Sequence, residues 1–350
     1  MTVRENAALI VLLRAARRPW QLYADIVEQA GSATAVLERE QRSTALASAQ
    51  QSLFTSATPA GRPTEDSATP RTDGATTHRT DSAATPRTDS ATTPPAGSCT
   101  AGHVTQPSAT GRSADLDAAA SEIARWRAAG MELVSVLDRE YPENLRAVHD
   151  RPPLLFVAGR LERGDARSVA VVGTRKPTPA GLELAKAIAG HLATAGYTVV
   201  SGLAAGIDTA AHTAALERRG RTVAVLGTGL TRSYPPQNAQ LQRRIASEGA
   251  VVSQFWPDAP PSRRSFPMRN AVISGLSLAT VVVEASQTGG SRVQARLALA
   301  QGRPVFVPHA LLVQPWAREL AARPGAHVVH SPDQITTAIE RLTSSGALTA

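Results

Sequence analysis

Residues 169–227 read VAVVGTRKPTPAGLELAKAIAGHLATAGYTVVSGLAAGIDTAAHTAALERRGRTVAVLG, and this stretch decides the fold. Three short β-branched runs, at 169–172, 198–200 and 222–226, alternate with two segments of helical spacing, at 179–195 and 209–219. The runs are continuously apolar, the pattern of strands covered on both faces of a parallel sheet. Parallel neighbours need a crossover, and the intervening helices supply it. The reading is an α/β, Rossmann-like, doubly wound and mostly parallel sheet. Ligands of such sheets bind beyond the carboxyl ends of the strands, so the loops after each strand are the candidate site.

The same alternation continues downstream, with strands predicted at 251–253, 280–283 and 305–307 and helices at 237–248 and 291–301. Upstream, a helix is predicted at 118–129 and a strand at 132–137. Pro152-Pro-Leu-Leu-Phe156 then leads through a turn into a strand. Residues 1–48 form a small helical (SAM-like) module. Leu9, Ile10, Leu12 and Leu13 mark one apolar face, Leu22, Ile26 and Val27 a second, and Ser32 opens a third helix as its cap. Between 49 and 114 large apolar residues nearly vanish, and a Ser-Ala-Thr-Pro-Arg-Thr-Asp unit recurs imperfectly from Ser67 and from Ser82. Such a segment buries too little surface to offset its ordering entropy, so a disordered linker is expected there. The remaining residues, 115–350, are assigned to the Rossmann-like domain.

Composition narrows the partners. The net charge is +8 and aromatics are only 4% of the 350 residues, so the core is built from Ala, Val, Leu and Ile. A sequence pI near 10.6 favours an anionic partner. Lys176 and Lys186 are the only lysines, and the rest of the positive charge is arginine. Arginine is the better phosphate fork, although a GC-rich genome yields the same bias. Cys99 stands alone, which excludes an internal disulfide and a cysteine zinc site. The apolar run at 7–13 is short and is followed by Arg14, Arg17 and Arg18. It is therefore not read as a signal peptide, and no membrane span is expected. The expected compartment is the cytoplasm.

The loops carry the chemistry. Gly173, Thr174, Arg175 and Lys176 follow the first strand and lead into a helix start, a phosphate cradle if they are more than an ordinary turn. Ser201, Gly202 and Gly206 follow the second, with Asp208 as helix cap holding His212 one turn on. Ser201, Asp208 and His212 invite a hydrolase reading, but no Gly-x-Ser-x-Gly elbow is present and a structural role is preferred. Gly227 and Thr228 form a third permissive loop; the missing third glycine of the dinucleotide fingerprint argues against nicotinamide or flavin. Arg263, Phe266, Arg269 and Asn270 lie in a segment read as a loop, with guanidinium for phosphate and a ring for a base, or a ring plugging the core. Glu284 either orders nearby backbone or meets a sugar hydroxyl. Gly289, Gly290 and Ser291 open a helix and make a second anion site. The Walker A pattern and His-Glu-x-x-His are absent, and no cofactor, metal or catalytic group is expected.

The ordered set Val169-Ala-Val-Val-Gly-Thr-Arg175, Ser201-Gly-Leu-Ala-Ala-Gly-Ile-Asp208, Tyr234-Pro, Phe266-Pro-Met-Arg-Asn270 and Val282-Val-Glu-Ala285 resembles the DNA-processing protein A (DprA/Smf) family. The resemblance covers about residues 116–310. It implies a non-enzymatic binder of single-stranded DNA that loads a RecA-type recombinase during transformation, and it implies a homodimer. By position, Gly173, Thr174 and Arg175 match the family's phosphate loop, and Arg263 and Phe266 match a basic residue and an aromatic that hold the strand. The chain departs from the family at Ala205 and Ala271, where arginine is usual, and at Gln254, where glutamate is common. The Gly-rich loop after Pro308 is replaced by His309-Ala-Leu-Leu312, and no winged-helix domain is expected at the end. The alternative from the residues is a small-nucleotide sensor or a phosphoribohydrolase-like enzyme on the same fold.

Overall fold

The computed structural model describes residues 2–55, 109–286 and 289–348. It contains one mixed, mostly parallel sheet of nine strands in the order β1-β2-β6-β5-β4-β3-β7-β8-β9. The parallel part comprises β3 (Ser168–Gly173), β4 (Thr198–Ser201), β5 (Thr222–Val225), β6 (Ala250–Ser253), β7 (Ala279–Glu284), β8 (Val305–Pro308) and β9 (Ala326–Val329). Two antiparallel strands, β1 (Met131–Ser135) and β2 (Leu154–Gly159), extend it beyond β6.

Alternate residues of each strand feed two cores, as a pleated strand requires. Val169 and Val171 of β3 and Val281 and Val283 of β7 face α6 (Pro179–Thr194), α7 (Ile207–Glu217) and α12 (Pro332–Ser344). Ala170, Val172 and Val282 face the opposite side, with α9 (Ser265–Leu276) and α10 (Gly290–Ala300). The order of the strands reverses between β3 and β7. This is the switch point at which doubly wound sheets open a crevice.

Several elements differ from the sequence reading. The segment around Arg263–Asn270, read as a loop, enters helix α9 at Ser265. Pro267 sits in the first turn, where its missing N–H costs nothing, so proline there starts a helix rather than forbidding one. The edge strand β9 and the helices α11 (Pro315–Ala321) and α12 were not anticipated.

The linker assigned to 49–114 is also encroached on from both sides. α3 (Ala33–Thr55) runs past its start and α4 (Ala109–Ala128) begins before its end; the rest of that reading lies outside the described residues. Ser32 does cap α3, its hydroxyl accepting from Ala35 N–H at 3.1 Å.

The first helices are not an appendage. α1 (Val3–Ala15), α2 (Trp20–Ala30) and α3 pack with α4 into the core shared with β1, β2 and β6. Trp20 meets Trp256 edge-on at 5.5 Å, and Trp126 meets Phe156 edge-on at 5.1 Å. Glu28 accepts from Arg146 at 2.5 Å and Arg151 at 2.6 Å, tying α2 to the chain that leads into β2. Such half-buried charge pairs orient the seam more than they stabilise it.

Candidate functional site

The loop after β3 is held from below. Thr174 N–H donates to the Glu284 carbonyl at 2.8 Å. The Glu284 carboxylate accepts from Thr178 N–H at 3.1 Å and from its hydroxyl at 2.9 Å. Thr178 in turn caps α6, accepting from Gly181 N–H at 3.0 Å. Of the two roles open to Glu284, ordering the backbone is the one its contacts serve. Arg175 and Lys176 project from this braced loop, exposed, and neither makes an ion pair among the described residues.

Arg269 is buried. Its Nη1 donates to the Gly202 carbonyl at 2.5 Å and to the Val225 carbonyl at 3.1 Å, stapling the loop after β4 to the end of β5. A Cβ on Gly202 would lie 1.5 Å from that nitrogen, so only glycine admits the guanidinium. Asp208 lies nearby, its carboxylate accepting from Gly202 N–H at 3.2 Å and Ala204 N–H at 3.4 Å. Burial pushes the Asp208 carboxyl above its ordinary range, against the pull of Arg269 and the backbone donors.

Asp208 is therefore not the helix cap. The cap position of α7 is Gly206, whose φ of +84° suits glycine, and Asp208 reaches back to the preceding loop instead. Nor does Asp208 hold His212. The Thr222 hydroxyl donates to the Val199 carbonyl at 2.6 Å, so it accepts from His212 Nδ1–H at 2.7 Å. Burial, followed by the Arg269 charge, pushes His212 down to about 3, and the ring stays neutral. Ser201 donates to the Val171 carbonyl at 2.6 Å. Ser201, Asp208 and His212 thus have separate partners and form no nucleophile–base pair.

Phe266, half-buried in the first turn of α9, forms a ridge. The Arg175 guanidinium lies 5.3 Å over its ring, that of Arg269 5.9 Å, and the Tyr234 ring 5.6 Å away. Its ring passes so close to Gly227 that a Cβ there would be 2.8 Å from it.

Either side of the ridge the surface is concave. The larger lobe, about 580 Å³, lies at the switch point between the loops after β3 and β7. Gly173, Thr174, Arg175 and Lys176 form one wall, Phe266, Arg269 and Asn270 another, and Gly289, Gly290 and Ser291 a third. The smaller lobe, about 150 Å³, collects Gly202, Gly227 and Thr228 with Tyr234, against the same ridge.

Three of the predicted binding residues stand outside both lobes. Ser201 is buried in the sheet, Gly206 packs beneath Thr174, and Arg263 is exposed beside Arg264 ahead of α9. Ala205 lines the smaller lobe, whereas Ala271 is buried away from the cleft. Sequence reasoning missed Ile273 and Gln294, which also line the larger lobe. Gln294 is three residues beyond Ser291 on one helical face, a spacing that the sequence does display.

No helix among the described residues is long and apolar enough to cross a membrane. Nor do the described residues hold a His/Cys/Asp/Glu cluster fit for a metal ion.

The family model for DNA recombination-mediator protein A matches residues 132–340. The chain is 44% identical over 173 residues to protein Smf of Synechocystis, covering 48% of this chain and 44% of that protein. It thus spans about half the length of that curated relative. Among solved structures, it is similar to DNA processing protein A of Streptococcus pneumoniae, with TM-score 0.57 and 34% identity over 64% of this chain and 81% of that one. It is also similar to DNA processing protein A of Helicobacter pylori, whose structure is described in terms of its single-stranded DNA binding mode. There the TM-score is 0.54 with 28% identity over 61% of this chain and 96% of that one. With more than half of its length matched by one family model, this chain belongs to the DNA recombination-mediator protein A family.

Proposed function

We propose that this protein is a cytoplasmic, non-enzymatic binder of single-stranded DNA that delivers the strand to a RecA-type recombinase during DNA uptake and recombination, and that it acts as a homodimer. The observation that carries the reading is the meeting of two cations without ion pairs, Arg175 and Lys176, with an aromatic ridge at the switch point. Arg175 and Lys176 stand on one side of Phe266, with Arg263 and Arg264 at the start of its helix. Cations supply sequence-independent attraction to phosphates, and a ring supplies a face on which a base stacks. The division of labour is that Arg175, Lys176 and Arg263 meet the backbone and Gly290 offers its N–H at the start of α10, while Gly173, Thr174 and Gly289, whose N–H groups already serve Asp208, Glu284 and Ser286, shape the walls. Arg269, Asp208 and His212 hold the loops in place.

The small-nucleotide reading keeps one observation in its favour, the depth of the larger lobe beside a helix N-terminus. A competition experiment separates the two. A fluorescent single-stranded oligonucleotide bound to the protein is challenged with unlabelled strand, with duplex of equal length, and with nucleoside monophosphates. Displacement by strand at concentrations where duplex and monophosphate fail supports the proposal. Displacement by monophosphate as readily as by strand would reverse the choice. Recombinase delivery is read separately, as faster filament formation on strand coated with a single-strand-binding protein.

A further inference from the structure

We propose that the larger lobe receives one unpaired nucleobase of the bound strand, read along its edge by Gln294 and Ser291. This rests on the strand-binding reading and assigns the lobe within it.

The walls of the lobe differ in character. Val172 and Ile273 give it an apolar side, and Phe266 stands at the lip. Opposite them, two polar atoms are buried with no protein partner, Ser291 Oγ and Gln294 Oε1; their residues are 6% and 1% exposed. Gln294 is not loose, because its Nε2 donates to the Asn270 carbonyl at 3.0 Å, which fixes the amide and aims Oε1. An acceptor oxygen left without a donor in a native interior is costly and calls for a ligand that supplies one. A phosphate has no N–H to offer Gln294 Oε1. A nucleobase does, and its flat faces suit the Val172–Ile273 wall. Ser291, with both a hydrogen and lone pairs, answers the neighbouring position on the base. The N-terminus of α10 stands beside this edge and suits the attached phosphate. A lobe of about 580 Å³ has room for one nucleoside unit.

The consequence is selectivity. In a duplex the same base edge is occupied by its partner, and a base must be unpaired and unstacked before it can enter. Cations alone discriminate poorly between single and double strands, so this lobe is where a preference for single strands arises.

The test compares a thymidine oligonucleotide with an abasic strand of equal length and charge. The wild-type protein is expected to bind the abasic strand roughly tenfold more weakly, with the same salt dependence. Gln294→Met is expected to weaken thymidine binding about fivefold to tenfold while leaving abasic binding unchanged, so that the two strands converge, and Ser291→Ala is expected to weaken thymidine binding by a similar factor. Equal wild-type affinity for both strands would overturn the base pocket and leave strand binding standing. So would variants that keep the wild-type difference. Loss of all binding at low salt would overturn the strand reading itself. The comparison on wild-type protein needs no variant to fold.

Discussion

Phe266 separates two roles that the sequence left open, a stacking face or a plug of the core. Its ring is half-buried, backed by Gly227 and Tyr234, and carries the Arg175 guanidinium 5.3 Å over it. Phe266→Leu keeps apolar volume against Gly227 but removes the π face. Stacking of a base on an aromatic is worth about 1–3 kcal/mol by truncation, which is about fivefold to 150-fold in Kd. No charge is lost, so the slope of log K against log salt is expected to stay as in wild type. Arg175→Ala is the counterpart: each phosphate contact removed flattens that slope by about 0.7 on a single strand. Anisotropy titrations of both variants at four salt concentrations give the two numbers. A Phe266→Leu protein that binds like wild type, while Arg175→Ala alone changes the slope, would refute stacking and leave the ring as a plug.

Glu284→Ala removes the acceptor of Thr178 N–H and Oγ1. Charged hydrogen bonds of this kind contribute about 1.5–3 kcal/mol, so the urea midpoint should fall and strand affinity with it; an unchanged midpoint would show that the loop does not need its brace. Gly202→Ala drives a Cβ into Arg269, and overpacking of this kind costs about 1–3 kcal/mol. Denaturant unfolding checks it, and wild-type stability in the variant would contradict the staple.

His212 gives a pH signature. Its folded value near 3 lies below the unfolded value of about 6.5, so between them the unfolded chain binds one more proton. Its share of stability is full above about 6.5 and falls with acidification, by at most about 1.4 kcal/mol per pH unit. Unfolding free energies from pH 7 to 4 should therefore fall less steeply in His212→Asn, and parallel curves would rule the assignment out.

The parallel core was legible because its strands are continuous β-branched runs, and the loops after β3 and β7 were legible because glycines and hydroxyls mark them. α9 was not. Phe266-Pro-Met reads as a break until one sees that the proline occupies the first helical turn, where it is harmless. β9 was hidden because Ala326-His-Val-Val329 is short, half-buried and preceded by Arg-Pro-Gly, with no periodicity to announce it. Arg269 looked like a phosphate contact from composition alone. Only the fold reveals that the Gly202 and Val225 carbonyls already hold it. The docking of α1 and α2 depends on Trp20, Trp126 and Trp256, three residues far apart in sequence whose meeting no local pattern encodes.

On the proposed reading, a strand runs over cations that the protein leaves without ion pairs. Arg175, Lys176, Arg263 and Arg264 provide up to four phosphate contacts, which corresponds to a slope of log K against log salt of about −2.8 for a single strand. The measurement is that slope for wild type and for the variant with all four changed to alanine. A slope of about −3 is expected in wild type, collapsing towards zero in the variant, with affinity lost at every salt concentration. A steep slope that survives all four substitutions, or a wild-type protein that ignores single strands at low salt, would contradict it.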